Sequence, residues 1–156
     1  MSTFNGLPAH VLLVHFIVVL APLTAVLAIL CAVWPAARQR LVWLVLALSV
    51  VVAVLTPLTT NAGECPNLSS SHSPLLNAHT ELGDTMLYFS LALLVAAVLL
   101  AVVHLRASRG QSLPSVLTIL VAVFVVAAGI STIVQVYRIG DSGAKATWGQ
   151  IAANPT

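Results

Sequence analysis

Charge is scarce in this sequence. Of its 156 residues 6% are charged, six Lys and Arg against four Asp and Glu, while 60% are hydrophobic, and the mean hydropathy is +1.06. A soluble domain of this length needs a polar surface that such a composition does not supply, so the chain reads as an integral membrane protein. The formal net charge of +2 is small and the basic residues are scattered along the chain, which excludes a nucleic-acid partner. Cysteine is scarcer still, with two residues. Cys31 and Cys65 fall towards opposite ends of the apolar runs and cannot bridge within one chain. Phosphate-binding loops, paired C-x-x-C, H-E-x-x-H and nucleophile elbows are all missing, so nothing marks a stand-alone enzyme. The first apolar run has no basic leader and no A-x-A-like site within reach, and it is expected to be retained rather than cleaved.

What is present is four apolar runs, over about 9–34, 41–59, 82–105 and 113–136. A helix rising 1.5 Å per residue crosses the ~30 Å hydrocarbon layer in about 20 residues. The expected architecture is therefore all-α: an integral membrane four-helix bundle forming one domain over 1–156. The breaks fall at 35–40, 61–77 and 106–111. Arg38, Arg40, Arg106 and Arg109 occupy the two short loops, with no acid beside them, whereas Glu64, Glu81, Asp84 and Asp141 lie towards the other face. Short loops rich in Lys and Arg stay in the cytoplasm, so both termini are expected to be extracytoplasmic, in a multi-pass protein of the cell membrane. Trp34 and Trp43 flank the first basic loop, where an aromatic belt belongs.

With that topology the outer halves of the runs are the polar ones: His10 and His15; Thr56, Thr59 and Thr60; His79, Glu81, Gly83 and Asp84; Ser131, Thr132, Gln135 and Tyr137. Polar groups in a bilayer cost free energy unless partnered, so they turn inward and mark function. His10 and His15 are five residues apart, about 140° of rotation and about 7.5 Å of rise. They do not share a helical face, and the expectation is His10 at the interface and His15 pointing into the bundle. Gly83 follows His79 by one turn, and Ala127, Ala128 and Gly129 give the fourth run a smooth surface. Imidazoles from facing helices with small residues alongside suit a b-type haem. The competing reading of Gly83 and Gly129 is close packing, since small residues line membrane-helix contacts generally. For the histidines it is hydrogen bonding at the interface; His104, beside Arg106, is read as headgroup-facing. Cys65, His72 and His79 recur at seven-residue intervals, a weaker set that would suit copper.

The run Gly6-Leu7-Pro8-Ala9-His10-Val11-Leu12-Leu13-Val14-His15-Phe16, together with Tyr137-Arg138-Ile139-Gly140, resembles the small bacterial membrane proteins of the family known as domain of unknown function 2231. That family's first helix opens with a similar G-x-P-x-H-x-L-x-V-H-F pattern. Its members occur beside, and sometimes fused to, Rieske-type iron–sulfur domains, and the resemblance thereby implies redox work at the outer face. His10, His15 and His79 match the family's histidines. Val11 and Ile17 stand where the family usually has proline, and its paired glycines in the last helix are reduced to Gly129.

The expected function is thus a membrane-embedded redox protein holding b-type haem near the outer face. His15 and His79 would be the axial ligands, with His10 or Asp84 hydrogen-bonding around the site, and electrons would pass to or from an extracytoplasmic redox protein or respiratory complex. The alternatives are a non-catalytic accessory subunit of a larger membrane complex, and copper or proton-coupled transport. Four helices bury limited surface among themselves, which leaves room for a homodimer.

Overall fold

A computed structural model describes the backbone of residues 3–4, 7–63, 74–111 and 113–153, and the side chains of 13–60, 81–111 and 113–145. Four helices account for nearly all of it: α1 (Ala9–Val33), α2 (Pro35–Gly63), α3 (Pro74–Ser108) and α4 (Ser115–Ala153). A two-residue antiparallel pairing of Thr3–Phe4 with Leu7–Pro8 precedes α1. In lipid every backbone N–H and C=O must be satisfied within the segment, and long runs of Leu, Val and Ala do so as helices. Each helix packs on its sequence neighbours and α1 closes against α4, leaving α1 and α3 on the diagonal of a four-helix ring. The starts of α1 and α3 and the ends of α2 and α4 accordingly share one end, and the two tight turns with the four arginines share the other.

The first tight turn is shorter than the sequence suggests. The expected loop at 35–40 is helical, and only Trp34 lies between α1 and α2. Pro35 occupies the first helical position of α2, where its missing N–H costs nothing and its fixed φ is already helical. The backbone bonds Trp34 N to Leu30 O (2.9 Å) and Arg38 N to Trp34 O (3.0 Å) carry the chain almost directly from one helix into the next. At the far end of α3, Gly110 adopts φ 69°. Gly110 N then donates to Ala107 O (3.1 Å) and Gln111 N to Arg106 O (3.0 Å), closing the helix with a left-handed glycine cap.

The opposite end extends further than the apolar runs. α3 and α4 have 35 and 39 residues, about 52 and 58 Å of helix, well beyond the ~30 Å of hydrocarbon. The tail after Val136 is helical as far as Ala153, and Lys145 Nζ meets Asp141 Oδ2 at 2.7 Å on its exposed face.

All four helices are long and apolar enough to span a membrane, and their outward surfaces are studded with Val, Leu, Ile and Phe. This is a multi-pass membrane protein. Trp34 and Trp43 are exposed at the arginine end, and Phe16, Tyr88 and Tyr137 are exposed towards the other. Phe16 and Trp34 are 18 positions apart along α1 and its end, about 27 Å, so the two aromatic girdles stand one hydrocarbon thickness apart. Between them the core divides. Ala28, Cys31, Val42, Val45, Leu93, Leu100 and Val125 belong to one apolar cluster nearer the arginines, and Ile17, Ala21, Val52, Met86 and Val136 form a second nearer the termini.

Candidate functional site

The buried stripe of α1 runs through Ile17, Ala21, Thr24, Ala25, Ala28 and Cys31, and that of α3 through Met86, Ser90, Leu93, Ala97 and Leu100. These stripes decide which histidines share the bundle axis. His15 is exposed, which corrects the expectation that it points inward: it precedes Ile17 by two residues, about 200° of helical rotation. His10 precedes Ile17 by seven residues and His79 precedes Met86 by seven. Seven residues are two turns to within about 20°, and about 10.5 Å of rise. Ile17 and Met86 belong to one cluster, and His10 and His79 each stand two turns of backbone beyond it, on the diagonal helices α1 and α3. Their side chains lie outside the described residues.

The other expected members of the site disperse. Asp84 and Glu81 are exposed, and Asp84 follows His79 by five residues, about 140° of helical rotation. At Gly83 an added Cβ would meet no atom of the described residues within 4 Å. Gly129 is filled instead: a Cβ there would come within 2.8 Å of Ile29 Cδ1 and 3.3 Å of Ala25 O. It also lies seven residues on the arginine side of Val136, about 21 Å along the axis from the level of His10 and His79. Gly129 is an α1–α4 packing residue, not a lining residue of that level. Glu64, Cys65 and His72 lie outside the described residues. Among the described residues no three His, Cys, Asp or Glu side chains group as metal ligands would.

The buried polar groups of the interior are hydroxyls and one amide: Thr24, Ser49, Thr56, Thr59, Ser90, Thr132 and Gln135. Thr56, Thr59, Thr132 and Gln135 are legible from the sequence as outer-half polar residues. Thr24, Ser49 and Ser90 are found only by carrying the helical phase down each span, since nothing about a lone Ser or Thr distinguishes inward from outward. The hydroxyls donate to carbonyls of their own helices, for instance Thr132 to Ala128 O and Thr56 to Val52 O, both at 2.8 Å. Gln135 reaches across instead. Its Nε2 donates to Leu82 O (3.1 Å) and to Thr85 Oγ1 (2.7 Å), tying α4 to α3 beside Gly83. Replacing Gln135 by Leu removes both inter-helix bonds and should cost about 1 kcal/mol in reversible unfolding in mixed micelles. Thr132→Val, which loses only a bond within its own helix, should change the same measurement by less than about 0.5 kcal/mol.

The sequence profile of a family described as "Predicted membrane protein (DUF2231)" matches residues 6–154, from before α1 to the end of α4. Among curated proteins and solved structures, none matches the chain.

Proposed function

We propose, for a chain that belongs to the DUF2231 family of predicted membrane proteins, the role of a membrane-embedded redox protein that binds b-type haem at its terminal end and exchanges electrons with a partner in the adjoining aqueous phase. The observation that carries this reading is that His10 and His79 each stand two turns beyond one cluster, on diagonal helices. It replaces His15 with His10 as the companion of His79. His10 is six residues beyond Phe16 and His79 nine beyond Tyr88, about 9 and 13 Å outside the aromatic girdle. That depth is the headgroup and aqueous edge, within reach of a water-soluble redox domain.

Haem supplies one-electron chemistry; the protein's part is ligation, room and exclusion of water. His10 and His79 would hold the iron from two helices, the bare backbone at Gly83 would admit the edge of a flat group, and Gln135 would fix the spacing of α3 and α4 beneath it. The closed apolar cluster of Ile17, Met86 and Val136 bars water from below. The test is a reduced-minus-oxidised visible spectrum of the purified protein, with metal analysis of the same sample. Sharp reduced bands at near-stoichiometric haem support the reading, and a colourless, iron-free protein from haem-replete cells overturns it. Bound copper without haem would move the site to Cys65, His72 and His79.

The orientation proposed with it puts both termini outside the cytoplasm of a bacterial cell, on the arginines of the opposite turns. In a Cys65→Ala background, Asp141→Cys should react with a membrane-impermeant maleimide on intact cells, and Ser108→Cys only after permeabilisation; both positions are exposed. The reverse pattern inverts the topology.

One observation favours the accessory-subunit reading. Among the described residues, every buried side-chain nitrogen and oxygen already has a hydrogen-bond partner, so that part of the interior holds no polar group in reserve for a ligand. On this reading a gentle extraction from the native host yields a larger assembly whose pigments, if any, survive loss of His10 and His79.

A further inference from the structure

The arginine end has chemistry of its own. Between the start of α2 and the end of α3 lies a recess of about 250 Å³ lined by Pro35, Arg38, Gln39, His104, Ala107 and Ser108. Arg38 is half-buried in its wall. The His104 ring stands edge-on to Trp43, centroids 6.3 Å apart at 88°, and Trp43 is one of the exposed girdle residues, so the recess sits at headgroup depth. No carboxylate neutralises it: the ion pair among the described residues is Lys145 with Asp141 at the opposite end, where the acids are gathered. The last carbonyls of α3, Leu105 O, Arg106 O and Ala107 O, are engaged by backbone bonds from Arg109, Gln111 and Gly110, which leaves the Arg38 and His104 side chains unconsumed by them. Arg38, the Gln39 amide and the His104 ring thus present donors around a cavity sized for a phosphate group.

On the other flank of α3 a second recess of about 210 Å³ is headed by Arg106 and otherwise walled by apolar side chains, among them Val102, Leu113 and Leu117. Both recesses carry an arginine at the same end of the bundle, and basic pockets between membrane helices take anionic lipid headgroups. We propose that the recess at Arg38 and His104 is a phosphate-binding site occupied by the headgroup of an anionic phospholipid. It is independent of any redox role at the far end.

The test is native mass spectrometry of the full-length protein released from detergent, titrated with phosphatidylglycerol, with phosphatidylcholine, and in a separate arm with inorganic phosphate. Phosphatidylglycerol should be retained at about tenfold lower concentration than phosphatidylcholine, a difference of about 1.4 kcal/mol. Arg38→Gln should abolish that preference, while Arg40→Gln, exposed and outside the recess lining, should keep most of it. His104→Phe preserves an aromatic edge against Trp43 and removes the ring nitrogens, so it should weaken retention even if Arg38→Gln folds poorly. Competition by millimolar inorganic phosphate with the same dependence on Arg38 would assign the site to the free anion and uphold phosphate recognition. Equal retention of the two lipids, or equal loss in Arg38→Gln and Arg40→Gln, overturns the proposal, since either result reduces it to diffuse surface charge.

Discussion

His79→Ala and His10→Ala should each abolish the haem bands of the reduced-minus-oxidised spectrum, while His15→Ala leaves them at full height. The asymmetry between the two histidines of α1 is the sharpest consequence of the fold. Both lie in the same motif, and spacing alone shows only that they face different ways. The buried stripe beginning at Ile17 says which is which: two residues separate His15 from that stripe by about 200°, whereas seven return His10 to it within about 20°. Loss of either imidazole would remove one of the two bonds by which the protein holds the iron, so the effect on bound haem should be near complete rather than graded. His79→Met offers a second readout, because a thioether in place of imidazole raises the reduction potential without emptying the site. A protein that keeps its haem without His10 and loses it without His15 would place the group on the outer surface of α1, and the axial register argument would fall.

The fold was legible because its causes are local. A run of about 20 apolar residues has one economical structure in lipid, and the charge segregation between Arg38, Arg40, Arg106 and Arg109 and the four acids distinguished the two ends without any knowledge of packing. The first turn departs from its composition because a single residue overrides it. Arg38 and Arg40 look like loop residues, yet Pro35 starts a helix beneath them. The candidate site was legible only as a set. That the terminal halves are the more polar, and that Thr56, Thr59, Thr132 and Gln135 line the interior there, follows from where polar residues stand in apolar runs. Which of them share the axis depends on helical phase, and the phase of α1 is marked by its buried small residues Ala21, Ala25 and Ala28, Ala25 lying against Gly129 of α4. In a membrane helix the lipid face and the bundle face are both apolar, so hydrophobicity cannot orient the helix and small residues must. The same ambiguity made Gly129 look like a cofactor platform.

Gly83→Ala should stabilise the bundle, whereas substitutions at Gly129 should range from neutral to costly. Both glycines are helical, and in each case a side chain spares the entropy that glycine loses on folding, about 0.5–1 kcal/mol relative to alanine. At Gly83 no atom of the described residues lies within 4 Å of an added Cβ, so Gly83→Ala should stabilise the bundle by that amount. At Gly129 the Cβ falls 2.8 Å from Ile29 Cδ1 and 2.9 Å from Ile29 Cγ1, with Ala25 O at 3.3 Å. Ile29 can swing its terminal methyl aside, but the carbonyl belongs to the α1 backbone and yields only if the helices separate. Gly129→Ala should therefore be close to neutral, and Gly129→Val, with two further methyls against that backbone, should cost about 1–3 kcal/mol by overpacking. Adding Ile29→Ala should recover part of the loss in Gly129→Val and none at Gly83, since the two sites lie on different helix pairs and too far apart to couple. Reversible unfolding in mixed micelles, followed by tryptophan fluorescence, reads all four variants. A costly Gly83→Ala would mean that Gly83 is packed against a neighbour in the assembled protein. If Gly83→Leu keeps full stability but lowers haem content, Gly83 is where the flat edge of the cofactor lies.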